Sequence, residues 1–138
     1  MKNIGVWVNA KEAVIIKIAE NQPHTIKRIK SNIELRERVN RGVKNVRDKG
    51  HLLINVAKTR LQKRTEQRTE FLKNLTKEID YCDSLVLIGP RSMAQHFEEQ
   101  IKRNQRISHK LKDVHYSELL PLGRMVAWTS DYFRARKN

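Results

Sequence analysis

The apolar residues of this chain change period along its length, and the changes divide it into elements. Over IGVWVN (4–9) they alternate, with Ile4, Val6 and Val8 on one face of a strand and Trp7 on the other. EAVIIKIA (12–19) is a β-branched run, and the short polar Asn-Ala-Lys between the two suits a hairpin. Asn21 and Pro23 mark a turn, after which HTIKRIK (24–30) reads as a third strand completing a meander. Periodicity then disappears until His51.

From Leu52 to Asp80 the period becomes helical. Ile54, Ala57, Leu61, Leu72, Leu75 and Ile79 fall on one stripe, and Thr65 and Arg68 occupy the same stripe and interrupt it. A helix of about 28 residues is roughly 42 Å long, more than a sheet of short strands can cover. Its N-terminal part is therefore expected to project past the sheet, and its apolar contact to concentrate in the C-terminal turns.

DSLVLIGP (83–90) is a continuous apolar run closed by Gly-Pro, the pattern of a central parallel strand covered on both faces. SMAQHFEEQIKRN (92–104) follows as an amphipathic helix, with Ser92 as N-cap and Met93, Phe97 and Ile101 on one stripe. LKDVHYS (111–117) reads as a short strand, and LGRMVAWTSDYFRA (122–135) as a closing helix with Pro121 before its first turn and Trp128 in the core. The order is β-β-β-α-β-α-β-α. It predicts one domain over residues 1–138 with a ribonuclease H-like α/β fold, in which an antiparallel unit is extended by parallel strands and flanked by helices.

Charge changes the picture of what this fold does. The chain carries 29 Lys and Arg against 15 Asp and Glu, a net charge of +14. Residues 36–77 hold 13 of the basic and 4 of the acidic residues, so +9 of that excess lies on less than a third of the chain. Such a concentration repels itself and points to a polyanionic partner, nucleic acid ahead of an anionic membrane. Its densest part, RERVNRGVKNVRDKGH (36–51), has only isolated valines to bury and is expected to be a flexible basic loop at about 31–50.

Other chemistry finds little support. The single Cys82, at the entrance of a buried strand, excludes an internal disulfide and suits a packing role in a reducing compartment. MKNIGVWVN turns polar too early for a signal-peptide core or a membrane span, so a soluble, cytoplasmic protein with no membrane partner is expected. Two-metal nuclease chemistry needs clustered acids, yet IGVWVN has none and Asp83 lies at the wrong end of its strand. His109 and His115 lack the further ligands of a zinc site, and no Ser occupies a sharp Gly-flanked turn. Neither a cofactor nor a catalytic role is expected.

The long helix carrying TRLQKRTEQRTEFL (59–72), followed by SLVLIGP (84–90) and its helix, resembles the central (second) domain of the archaeal and eukaryotic class I peptide-chain release factors and of Pelota, including their short bacterial relatives. Arg60, Lys63 and Arg64 fall where those factors carry an R-x-x-K-R run. In release factors the interval before this helix is an extended loop that carries Gly-Gly-Gln into the peptidyl-transferase centre. Here that interval has single glycines at Gly42 and Gly50, no adjacent pair and no glutamine. The resemblance therefore implies docking on RNA without hydrolysis, as in Pelota, with the ribosome, rRNA or tRNA as partner, in stalled-ribosome rescue, hibernation or a related step. The residues it singles out are Arg36, Arg38, Arg41, Lys44, Arg47 and Lys49 on the loop, with Arg60, Lys63 and Arg64 on the helix. The alternative is a protein-interaction module whose basic helix meets an acidic partner.

Overall fold

The computed structural model describes the backbone of residues 2–19, 24–31, 33 and 50–135, and the side chains of these except 50–60. Strands β1 (Asn3–Val8), β2 (Glu12–Ile18) and β3 (Thr25–Lys30) pair antiparallel in sequence. On the other side of β1, β4 (Ser84–Gly89) and β5 (Leu111–Tyr116) add in parallel, giving the order β3-β2-β1-β4-β5. This is the mixed sheet of a ribonuclease H-like α/β fold, with the element succession predicted from the sequence. The β1–β2 turn is built by Asn9, whose side-chain oxygen accepts the N–H groups of Lys11 and Glu12 at 2.8 and 2.9 Å.

Among the described residues, three α-helices cover the sheet: α1 (Gly50–Ile79), α2 (Arg91–Lys102) and α3 (Leu122–Ala135). The first two lie on one face, where Phe71, Leu72, Leu75 and Ile79 of α1 and Met93, Phe97 and Ile101 of α2 bury Ile4, Val6, Val8, Ile15, Leu85 and Leu87. Leu75 is wholly buried at the centre of this layer. Leu75→Ala is expected to cost about 2–5 kcal/mol through reduced burial and a residual cavity, read as a lower denaturation midpoint with an unchanged urea slope.

Helix α3 closes the opposite face, packing Met125, Tyr132 and Phe133 on Trp7, Val14, Ile16, Val86 and Ile88. Tyr132 is thus a core residue. Trp128 is only partly buried, its ring edge-on to Trp7 at 5.6 Å, because it lies at the margin of this layer. The Trp7 indole N–H donates to Thr129 Oγ1 at 3.0 Å, and that hydroxyl donates to the Met125 carbonyl at 2.7 Å. A Cβ at Gly5 would run into the Thr129 side chain, so the helix comes this close to β1 only over a glycine. Because both hydrogen bonds hold Thr129 in place, Gly5→Ala should destabilise by about 1–3 kcal/mol. Gly123→Ala, where a Cβ meets nothing within 4 Å on the first turn of the same helix, should instead stabilise by up to about 1 kcal/mol. Thermal melts of the two variants provide the comparison.

A second local expectation is corrected. Ser92 is not the N-cap of α2; Pro90 holds that position with φ −55° and ψ 145°, and the helix starts at Arg91 with no side chain capping it. The fixed φ of proline turns the chain directly from β4 into helix, two residues earlier than a Ser92 cap would. Cys82 is buried in the first layer, and burial pushes its thiol up, against the opposing effect of Lys110. Among the described residues, no helix is long and apolar enough to cross a membrane.

Candidate nucleic-acid interface

Helix α1 has 30 residues and is about 45 Å long. Its described side chains divide sharply. None from Leu61 to Glu70 is buried, whereas Phe71, Leu72, Leu75, Thr76 and Ile79 are. The helix is anchored to the sheet by its last turns, and the stretch bearing Lys63, Arg64 and Arg68 stands clear of the core, as the interrupted apolar stripe predicts. Arg60 lies on this helix, but its side chain is outside the described residues, as are Arg36, Arg38, Arg41, Lys44, Arg47 and Lys49 and most of the loop expected at 31–50.

The inner face of the unburied stretch does not simply face solvent. Leu61, Arg64, Thr65 and Arg68, at positions i, i+3, i+4 and i+7 of one helix face, look onto a groove of about 330 Å³. Its other walls are Ala10 from the β1–β2 turn, Ile33 beyond β3, and Pro90, Ser92 and Met93 at the start of α2. Ile33 is held near by Ser31, whose N–H donates to the Lys11 carbonyl at 2.9 Å and whose hydroxyl donates to the Ala10 carbonyl. The groove therefore opens at the carboxyl ends of β1 and β4, the edge at which open α/β sheets bind ligands. Tyr116, the last residue of β5 and paired with Gly89, lies on the same edge; it is 47% exposed and has the Arg91 guanidinium 5.0 Å from its ring centroid.

Some cations elsewhere on the described residues are engaged. Lys27 pairs with Glu78 at 2.6 Å, Arg28 with Glu12 at 3.0 Å and Lys102 with Glu98 at 3.1 Å. The amines of Lys2 and Lys17 lie 5.1 and 4.6 Å from the centre of the Tyr81 ring. Arg64 and Arg68 have no carboxylate of the described residues within ion-pair distance. Two guanidinium groups about one helical turn apart, beside apolar side chains, form an anion-binding arrangement.

Sequence reasoning singled out Lys63 and Arg64 but not Arg68, Arg91 or Tyr116. Arg68 left a signal as a charge inside an apolar stripe. Arg91 left only a weak one, as part of a Gly-Pro-Arg-Ser turn (89–92) at a helix N-terminus that could cradle a phosphate, and Tyr116 left none, because what joins the two is the pairing of β5 with β4. Among the described residues no cluster of His, Cys, Asp or Glu could hold a metal ion. His115 is instead part of the aromatic margin, edge-on to Trp128 at 4.9 Å and with Nε2 3.1 Å from Asp113 Oδ2.

No protein-family model matches this chain, and no curated protein matches it. Among solved structures, the archaeal translation termination factor aRF1 aligns with a TM-score of 0.56 and 12% identity, over 99% of this chain and 39% of that one. Another, described as an archaeal protein, aligns with a TM-score of 0.47 and 14% identity over 97% of this chain and 36% of its own. The chain thus spans well under half the length of the termination factor it resembles. At this identity the likeness is one of fold: the protein has a release-factor-like, ribonuclease H-like α/β fold.

Proposed function

We propose that this protein is a noncatalytic RNA-binding translation factor, a single domain over residues 1–138 that associates with the ribosome or with tRNA in rescue, hibernation or a related step in the cytoplasm. The observation that carries the reading is the unburied stretch of α1 from Leu61 to Glu70, bearing Lys63, Arg64 and Arg68, on a sheet whose fold is shared with a translation termination factor. Cations held clear of the core, with Arg64 and Arg68 not neutralised by the described carboxylates, are available to phosphates. The basic segment at 36–49, adjoining the same helix, would extend that contact along a polyanion. Its lack of Gly-Gly-Gln supports docking without peptidyl-tRNA hydrolysis.

The test is co-sedimentation with purified ribosomes at low salt, followed by crosslinking to locate the contact. The protein is expected in the ribosomal pellet, with crosslinks to rRNA or bound tRNA from residues between about 36 and 68. A protein that stays in the supernatant and binds neither rRNA nor tRNA overturns the proposal and favours an acidic protein partner.

A further inference from the structure

The groove beside α1 combines two features that a simple phosphate-binding surface does not need. Its lining is mostly apolar, with Ala10, Ile33, Leu61, Pro90 and Met93, and it also carries Arg64 and Arg68. Leu61 is 65% exposed, a large aliphatic side chain that the core does not use. We propose that this groove is a subsite for an unpaired nucleotide of RNA: the base lies in the groove against Leu61, and Arg64 and Arg68 hold the phosphates on either side of it. The inference rests on the RNA-binding reading above and deepens it.

Size, charge and position agree on this occupant. The groove's volume of about 330 Å³ is at the lower end of the roughly 300–1,000 Å³ typical of small-ligand pockets. Arg64 and Arg68 stand at i and i+4, with Cβ atoms about 5–6 Å apart, close enough to hold successive phosphates of one strand. Thr65 Oγ1 spends its proton on the Leu61 carbonyl at 3.0 Å and so remains an acceptor at the groove wall. A duplex buries the faces of its bases in the stack, so only an unpaired nucleotide offers both a flat apolar face and flanking anions.

The neighbouring surface continues the same chemistry. Arg91 follows Pro90 of the groove wall and already stacks on exposed Tyr116. An aromatic ring paired with a guanidinium is a stacking platform for single strands. It places a second base-binding element on the carboxyl edge of the sheet. An acidic peptide would match the arginines and the apolar lining but would have no use for Tyr116.

The experiment compares three probes at fixed salt by fluorescence anisotropy: an oligo-uridine single strand, the same strand with abasic riboses, and an RNA duplex with as many phosphates. The oligo-uridine is expected to bind about 5- to 150-fold more tightly than the abasic strand, the range for stacking of one base. Leu61→Gln and Tyr116→Thr, both at exposed positions, should each reduce that advantage while leaving the denaturation midpoint and abasic-strand binding unchanged. Equal affinity for the intact and abasic strands, or an unaltered advantage in Leu61→Gln, overturns the nucleotide subsite while the broader RNA reading stands. Failure of all three probes to bind overturns both. An alternating Asp-Leu peptide that displaces oligo-uridine from the wild type but not from Leu61→Gln assigns the groove to an acidic protein segment instead.

Discussion

Raising the salt concentration from about 50 to about 200 mM will lower the affinity of this protein for structured RNA about 10³- to 10⁵-fold, if about 6 to 10 of its cations engage phosphates. The basis is counterion release: each neutralised phosphate frees a condensed cation, and the gain disappears as bulk salt rises. The chain has cations to spare, with a net charge of +14 and 13 Lys and Arg between residues 36 and 77. Lys27, Arg28 and Lys102 already have carboxylate partners, and the basic excess is densest between residues 36 and 77, so the steep response should come mainly from α1 and the segment before it. A salt titration of binding to tRNA gives the slope directly. A flat response would mean that phosphates are not the ligand, and the proposed function would fall with it.

The second large effect separates binding from stability on one helix. Changing Lys63, Arg64 and Arg68 together to Glu should abolish co-sedimentation with ribosomes and leave the melting temperature within a few degrees of the wild type. None of the three is buried, since the buried part of α1 starts at Phe71. The cost to folding is then limited to altered helix-surface pairs, about 0.2–0.5 kcal/mol each. The cost to binding is much larger, because each reversal removes an attractive charge and puts a repulsive one in its place. Any residual binding should show a salt slope shallower by about one unit for each phosphate that is no longer neutralised. A triple variant that unfolds would make these residues structural. One that folds and still pellets with ribosomes would move the interface off this helix.

Leu75→Ala is the complementary case, in which the fold gives way before the surface. The same helix thus contains two regions with opposite sensitivities, and they are divided by where the sheet ends. The chemistry of the side chains alone does not place this boundary, since Leu61 and Leu75 are the same residue type on one stripe.

The legibility of the fold differed from element to element for physical reasons. The alternation of Ile4, Val6 and Val8 against Trp7, and the unbroken run from Leu85 to Ile88, were direct readouts of burial on two faces. A residue in a central strand has to be apolar whichever way it points. The anchored end of α1 was legible for the same reason, because Leu72, Leu75 and Ile79 repeat at helical spacing. Ser92 misled because serine is a good N-cap wherever a helix begins, whereas the actual start depends on Pro90 leaving β4. Trp128 misled because a large ring at core spacing can still lie at the rim of its layer.

The candidate site followed a different rule. The charge excess, its concentration around α1 and the projection of that helix were properties of local composition and period, and these are written in the chain. The groove depended on the folded arrangement. Ala10, Ile33, Leu61 and Met93 are far apart in sequence and meet because the antiparallel meander brings the β1–β2 turn to the edge where β4 gives way to α2. Tyr116 and Arg91 are neighbours because β5 pairs in parallel with β4, placing Tyr116 opposite Gly89. Period and composition report which face of an element is buried or charged; they carry no information on which elements share an edge, which is settled by strand order and packing once the whole chain has folded.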